Sequence, residues 1–411
     1  MNGIRKKLSV LAALLLTCSF AFSACNFAMM PATNAQTSTK SSSSRRKNSS
    51  NKKNSSDKKD SSEEEDSGEE MTIKAVSPKD KKKVSLVNSD VQAFLEAYDI
   101  GASEDYATGE DHFAMKGLDL VWESEVDADQ YEIQISTSED LADALVLTTE
   151  ETTLHVDDLL VNTQYYWQIT AETDDGEVAS EVYTFTTYAT PRTISIDGVS
   201  NTRDIGGKTT VDGKKIKQGM IYRGAYLDEI TPSGITQALE KYGIKTDLDV
   251  RKAAEGTAGM GSPLGSGVKY VQYSCPYYLG SQGINNEANW ENLANAIKTF
   301  AQEENYPIYF HCSLGRDRTA MVALLLEGLL GATMEDMTID YEMSFFSSRG
   351  CVDGAKPRDM VATFINTRRY LETYDSDKSL SFAQQCEKYL LDIGVTQAEI
   401  DAIREIMLEN E

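Results

Sequence analysis

Histidine is scarce in this chain: His112, His155 and His311 are the three in 411 residues. Three scattered imidazoles cannot build a polyhistidine metal site, and no zinc or nucleotide fingerprint takes their place. The expectation is a protein that works without metal or cofactor. Positive charge is also short, with 40 Lys and Arg against 65 Asp and Glu and a net charge of −25. So acidic a surface repels phosphate backbones, which excludes nucleic acid as an expected partner. The six cysteines follow no metal-like spacing. What remains, 40% apolar and 26% charged residues, is ordinary for a soluble globular protein, and the length allows two domains plus tails.

Against this background one stretch stands out. His311-Cys312-Ser313-Leu314-Gly315-Arg316-Asp317-Arg318-Thr319 reads H-C-x-x-G-x-x-R-T, with five residues between cysteine and arginine. An apolar run, Tyr306 to Phe310, precedes it, and a helical pattern from Ala320 to Leu330 follows. A strand, a short loop and a helix N-terminus together form an anion cradle, because backbone N–H groups turn inward and the helix dipole favours negative charge. A cysteine at such a mouth ionises easily, and an arginine closing the loop matches two phosphate oxygens. Nucleophile and clamp in one loop point to phosphoryl-ester hydrolysis through a cysteinyl-phosphate. The alternative is a structural cysteine beside a turn with Arg318 in a salt bridge, which the strand-then-helix context disfavours.

The first residues read as targeting sequence. Arg5, Lys6 and Lys7 precede an apolar stretch, Leu8 to Leu16, too short for the ~18–20 residues of a membrane span. Phe22-Ser23-Ala24-Cys25 then resembles a lipobox, the bacterial signal in which the cysteine receives lipid, with Phe where Leu is preferred. Residues 1–24 are therefore expected to be a lipoprotein signal peptide, Cys25 the lipidated residue, and the protein extracytoplasmic on the bacterial membrane. The alternative is an ordinary signal peptide cleaved after Ala24 and a secreted product. Residues 25–71, rich in Ser, Lys, Asn, Asp and Glu, bury nothing and read as a disordered tether, basic first and acidic later. About forty-five flexible residues reach roughly 35–40 Å. Cys275, Cys312, Cys351 and Cys386 remain beyond the tether. They are expected to be unpaired, with Cys275 or Cys351 as the alternative redox partner of Cys312.

From 72 to 189 the pattern is β. Leu118–Trp122, Gln130–Ile135, Tyr165–Thr170 and Val182–Thr186 alternate or run apolar between turn residues. One short helix is expected near Ser89 to Tyr98. The segment resembles a fibronectin type III domain, with Trp122 as its core tryptophan and Leu160 and Tyr165 as its tyrosine corner. The part before Met115 fits that pattern poorly. The expected role is a spacer, or else a module that binds cell wall or protein.

From 192 to 411 strands alternate with helices, which argues an α/β layered domain around a largely parallel sheet flanked by helices. Here the chain resembles the bacterial tyrosine phosphatase family, which acts on phosphotyrosine and in some members phosphoinositides. Asn201-Thr202-Arg203-Asp204-Ile205-Gly206-Gly207 resembles the family's N-F-R-D-[LI]-G-G. Tyr222-Arg223-Gly224 resembles its Y-R-S, with Gly for Ser. Asp249-Val250-Arg251 with Glu255 resembles its D-L-R-x-x-x-E. His311 to Thr319 resembles its H-C-x-x-G-K-D-R-T, with Arg316 for Lys, and Asp340-Tyr341 its D-Y.

The resemblance implies Cys312 as nucleophile, Arg318 as phosphate clamp, Thr319 as a donor to the sulfur and His311 as orienter of the loop. Ser313, Leu314, Gly315 and Arg316 would line the phosphate, with Arg203, Asp204, Asp249 and Arg251 beside it. No carboxylate occurs in Tyr273 to Gly280, where many cysteine phosphatases bring their general acid. Asp317 is therefore the expected acid and Asp249 the alternative. Arg316 is expected as a second cation at the rim, which in the family goes with multiply phosphorylated inositides. Substrates would be phosphorylated proteins or inositol phosphates. The remaining alternative is an idle phosphatase fold that serves as a binding module.

Overall fold

The computed structural model describes residues 72–409 apart from 108–113, 175, 351 and 377. The signal segment, Cys25, the tether and Cys351 lie outside the described residues. No described helix is long and apolar enough to cross a membrane.

The N-terminal half carries β1 (Ile73–Ser77), β2 (Lys82–Val84), helices α1 (Ser89–Glu96) and α2 (Ser103–Tyr106), then β3 (Leu118–Ser124), β4 (Gln130–Ser136), β5 (Leu145–Thr149), β6 (Thr153–Val156), β7 (Gln164–Thr173), β8 (Gly176–Ala179) and β9 (Tyr183–Thr187). One sheet runs β1-β3-β6 and the other β2-β9-β7-β4-β5, with β8 on β7. All pairs are antiparallel except β2 with β9. Alternation decides the faces. Tyr131, Ile133 and Ile135 of β4 and Tyr165, Trp167 and Ile169 of β7 point into one core, which they share with Leu120 and Trp122 of the other sheet. The Tyr165 hydroxyl accepts the Leu160 N–H at 2.7 Å. The poor fit before Met115 has a physical cause: α1 and α2 are inserted between β2 and β3, and they bury their apolar side elsewhere.

The second half carries β10 (Arg192–Thr193), β11 (Arg203–Asp204), β12 (Ile221–Gly224), α3 (Pro232–Thr236), β13 (Thr246–Asp249), β14 (Lys269–Gln272), α4 (Trp290–Thr299), β15 (Ile308–His311), α5 (Asp317–Leu330), α6 (Met334–Met343), α7 (Pro357–Glu372), α8 (Phe382–Asp392) and α9 (Gln397–Met407). The sheet order is β10-β11-β12-β15-β13-β14, parallel from β12 to β14 and antiparallel at the β10 edge. Phe310, Ile308 and Leu248 face the core shared with α4, α5, α8 and α9, while Tyr222 and Tyr309 face the α3 side. Capping boxes start α8 (Ser381 with Gln384) and α9 (Thr396 with Glu399). From Ala320 to Leu330 helix α5 is buried throughout and apolar apart from Glu327, so each of its core leucines contributes roughly 1.5–3 kcal/mol. It stops at Gly331, whose φ of 87° few other residues adopt.

The halves touch. Asn162 donates to the Gly207 carbonyl and to Thr209, and Gln218 makes a two-way pair with the Val161 backbone. Strand β15 is the sheet's centre, so its C-terminal end opens where the ends of β12 and β13 lie on either side. That end is where the cysteine loop begins.

Candidate active site

The loop from His311 to Arg318 joins β15 to α5. Its carbonyls are held from outside. Ser313 O accepts from the Tyr226 N–H (3.4 Å), Leu314 O from Asn201 Nδ2 (2.8 Å) and Gly315 O from Arg223 (2.9 Å). In a trans peptide the following N–H points opposite to the carbonyl. The N–H groups of Leu314, Gly315 and Arg316 therefore turn to the other side, which makes an anion nest. No side chain caps α5, so its first-turn N–H groups add to that seat. Gly315 has φ 68°, and a Cβ there would strike the backbone of Gly224 and Ala225. A Cβ on Gly224 would in turn strike the Tyr309 hydroxyl, which donates to Ala225 O at 2.7 Å. The glycine that replaces the family's serine at 224 thus has a steric reason.

Cys312 sits in the loop at 2% exposure. Burial alone would raise its thiol pKa, but Arg318 and the Thr319 hydroxyl and N–H outweigh burial and lower it. The Thr319 hydroxyl is buried without a hydrogen-bond partner among the described residues, so it is free to serve the neighbouring sulfur. The other cysteines of the domain differ. Cys275 and Cys386 are unpaired and buried, and desolvation pushes both thiols far up.

Arg318 is oriented by Glu255, the acidic end of the stretch that begins at Asp249. Nη1 and Nη2 donate to its two carboxylate oxygens at 2.7 Å each, and Ser313 Oγ donates to the same carboxylate at 2.5 Å. These bonds hold the Glu255 carboxyl at about 2, with the Arg318 hydrogen bonds the largest cause. Arg318 Nε is buried without a partner among the described residues. An anion beside Cys312 would satisfy it. The Tyr277 ring lies over this guanidinium at 4.9 Å.

His311 bonds Asp247 through Nε2 (3.0 Å) and its own loop's Cys312 carbonyl through Nδ1 (3.2 Å). Burial opposes its charge, but Asp247 prevails and its pKa is raised. The imidazole therefore ties the loop to β13.

Asp317 begins α5, where a carboxylate is favoured. Its Oδ1 accepts from the Tyr278 hydroxyl (2.6 Å) and from Arg316 Nε (3.0 Å), and its Oδ2 from Arg316 Nη2 (3.2 Å). Tyr278 also bonds the Tyr341 hydroxyl at 2.7 Å.

Arg316 corrects an expectation. It is not a rim cation: it is 6% exposed, grips Asp317, and donates through Nη1 to Gly350 O at 2.6 Å. The physical reason is that a carboxylate and a carbonyl on its inner side satisfy it.

Arg203, Asp204, Asp249 and Arg251 also turn away from the loop's seat. Arg203 engages Asp340, Asn201 and Ser344 with every guanidinium nitrogen. Asp204 takes Arg192 and the N–H groups of Gly206 and Gly219. Asp249 and Arg251 pair with each other, with Tyr270 and Asp228 as further partners. Despite its burial, these hydrogen bonds hold the Asp249 carboxyl below its usual range. Arg203 and Arg223 share Asp340, and Asn201 and Arg223 reach the loop carbonyls. This group therefore serves as the loop's foundation. Its spacing in the sequence marks the motif but does not say which way each side chain points.

Known proteins give a consistent frame. A family model described as "Tyrosine phosphatase family" matches residues 194–409, more than half of the chain. A curated Cupriavidus necator protein that bears the name of a tyrosine-protein phosphatase is 25% identical over 170 residues, 36% of this chain and 61% of that protein. The chain thus spans less than two thirds of the length of the curated relative it matches. Among solved structures, the core catalytic domain of the PP-IP phosphatase SIW14 from S. cerevisiae, in complex with citrate, is 18% identical. It covers 41% of this chain and 88% of its own, with a TM-score of 0.26. A second structure of the Siw14 catalytic core is 16% identical, covers 48% and 96%, and has a TM-score of 0.28. With its family model running through the whole α/β half, from Ile194 to Glu409, the chain belongs to the tyrosine phosphatase family.

Proposed function

We propose that this protein hydrolyses phosphate monoesters, phosphotyrosine foremost, through a cysteinyl-phosphate on Cys312. One observation carries the reading: a buried cysteine lies in a loop whose Leu314 and Gly315 carbonyls are held from outside, beside an arginine pre-oriented by Glu255. The Cys312 sulfur attacks phosphorus, the P–O bond to the leaving group breaks, and Asp317 gives its proton to the departing oxygen. Water then attacks the phosphocysteine, Asp317 takes its proton, and the Thr319 hydroxyl steadies the departing thiolate. Cys312 is 2% exposed, with the Tyr277 ring above Arg318. The aromatic Tyr277 ring beside the phosphate clamp supports an aromatic ester as substrate. Inositol phosphates are the second substrate class. That class shares the same cysteine chemistry, and with Arg316 turned inward it gains no rim cation from that side chain.

Phosphate release from a phosphotyrosine peptide and from inositol phosphates, measured in chelator beside Cys312→Ser, tests the reading. Release lost in the variant supports it, and the better substrate decides the class. Release that survives, or a folded wild type inert after treatment with a reductant, overturns it in favour of a binding module. Asp317→Asn should slow a poor leaving group about 10²–10³-fold and an activated aryl phosphate little. Equal losses would remove Asp317 from the acid's role.

For the rest of the chain we infer a lipid anchor at Cys25 and a surface location on the bacterial membrane, from the basic, apolar and lipobox segments in series. Cys25→Ala should abolish labelling by a radioactive fatty acid and release the protein to the medium. The N-terminal half is read as fibronectin type III-like, supported by buried Trp122 and by the Tyr165 bond to Leu160. Its task is to carry the enzyme away from the membrane, with a wall or protein ligand as the alternative.

A further inference from the structure

Helices α1 and α2 belong by sequence to the N-terminal half, yet they pack on the catalytic half. Val91, Phe94 and Ala102 share a core with Ile339, Met343 and Phe346. Phe94 and Phe346 are both fully buried, with ring centroids 5.3 Å apart. Glu342 on α6 is fully buried too, and its two carboxylate oxygens accept the Gly101 N–H (2.8 Å) and the Ser103 N–H (3.0 Å). A buried carboxylate without such donors is costly. The catalytic half therefore carries a carboxyl whose pKa burial raises and whose two oxygens the insertion satisfies.

The other end of this contact is the active site. Phe346 closes the turn Ser344–Phe346 that follows α6. The chain then folds back so tightly that a Cβ on Gly350 would strike the Ser344 carbonyl. Gly350 O holds Arg316 Nη1, and the Arg316 guanidinium lies 6.0 Å from the centre of the Phe345 ring. The same guanidinium grips both oxygens of Asp317.

We propose that the α1–α2 insertion is a positioning element for Asp317, acting from Phe94 and Gly101 through the Phe345–Gly350 segment to Arg316 and so to the carboxylate. The insertion touches no reacting atom. It fixes the carbonyl that fixes the arginine that aims the acid. The N-terminal half is in this respect part of the enzyme, and whatever loosens the insertion weakens proton delivery while leaving the thiolate intact. The proposal rests on Asp317 being the general acid of the phosphatase read above.

The test compares wild type, Phe94→Ala and Glu342→Gln in the full chain, each also in an Asp317→Asn background. Two substrates are used, a phosphotyrosine peptide and an activated aryl phosphate. The rate of Cys312 alkylation is followed in parallel, as is amide hydrogen exchange at 312–318 and 344–350. The expected result is a loss of about tenfold on the peptide, less than twofold on the aryl ester, unchanged alkylation, and no further loss once Asp317 is Asn. Faster exchange at 344–350 should accompany it. Equal losses on both esters, or an effect of the same size without Asp317, would overturn the proposal. Should wild type hydrolyse neither ester, the phosphatase reading falls. Hydrogen exchange then still judges the contact, since unchanged exchange at 312–318 and 344–350 in both variants sinks it.

Discussion

Residues 72–189 and 192–409 bury their polar groups in opposite ways. In the first, the buried polar side chains are serines and a threonine, and no charged residue is buried among those described. In the second, Arg192, Arg203, Asp204, Arg223, Asp247, Asp249, Arg251, Glu327, Asp340 and Glu342 are all buried, beside His311, Arg316 and Arg318 of the loop. Burying charge is expensive and stabilises a fold less than well-packed apolar groups of the same volume do. A sheet pair whose work is to hold shape has no need of it. The α/β half accepts the cost in part for the cysteine loop: Arg223 holds the Gly315 carbonyl outward, Asp340 and Arg203 brace Arg223, and Asp247 holds His311.

Substitutions can break this contrast, and the largest effect should come from the loop. Cys312→Ser should lower turnover at least about 10⁴-fold while leaving the thermal midpoint nearly unchanged, as measured by phosphate release and calorimetry. Next is the foundation. Asp340→Asn leaves Arg203 and Arg223 facing each other without their shared anion and should cost about 3–5 kcal/mol in urea unfolding. If that variant stays as stable as wild type, the buried cluster is not what holds the loop's floor. Glu255→Gln should lower kcat/KM about 10–100-fold, the worth of a charge-assisted pair, and should lower stability at neutral pH as well. The pH dependence has a definite sign. A carboxyl depressed to about 2 stabilises the fold above its unfolded value near 4.5 and loses that contribution as pH falls toward 2. Wild type should therefore lose stability over that window by more than Glu255→Gln does. Thr319→Ala should have the smallest effect, a several-fold slowing of phosphocysteine hydrolysis and a modest rise in the pH at which Cys312 alkylation plateaus.

The sequence showed the loop because its chemistry is local: cysteine, glycine and arginine act at fixed spacing on one backbone. The β half was legible for a similar reason, since alternation decides which face of a strand is buried, as Tyr131, Ile133 and Ile135 show. Helix α6 was not anticipated. It is buried on all sides yet carries Asp340 and Glu342, so its sequence has no apolar stripe to read. Helix α7 does place Val361, Phe364 and Leu371 on one face, so its sequence carries a helical stripe that α6 lacks. Arg316 was assigned to the rim because position alone cannot say which way a long side chain turns. Its partner Gly350 O lies 34 residues away. Glu255 was visible as a motif member, but its grip on Arg318 spans 63 residues and needed coordinates.

Gly224 and Tyr309 illustrate a different kind of dependence, one that shows over generations of sequence change. The tyrosine's hydroxyl fills the space that any side chain at 224 would claim. Serine at 224, the commoner choice in the family this chain resembles, and tyrosine at 309 therefore exclude each other. Tyr309→Phe relieves the tightest of these contacts at the loss of the hydroxyl's bond to Ala225, while Thr202 Cγ2 still stands close. The two positions are therefore coupled, and Gly224→Ser should destabilise the wild-type fold more than it destabilises Tyr309→Phe.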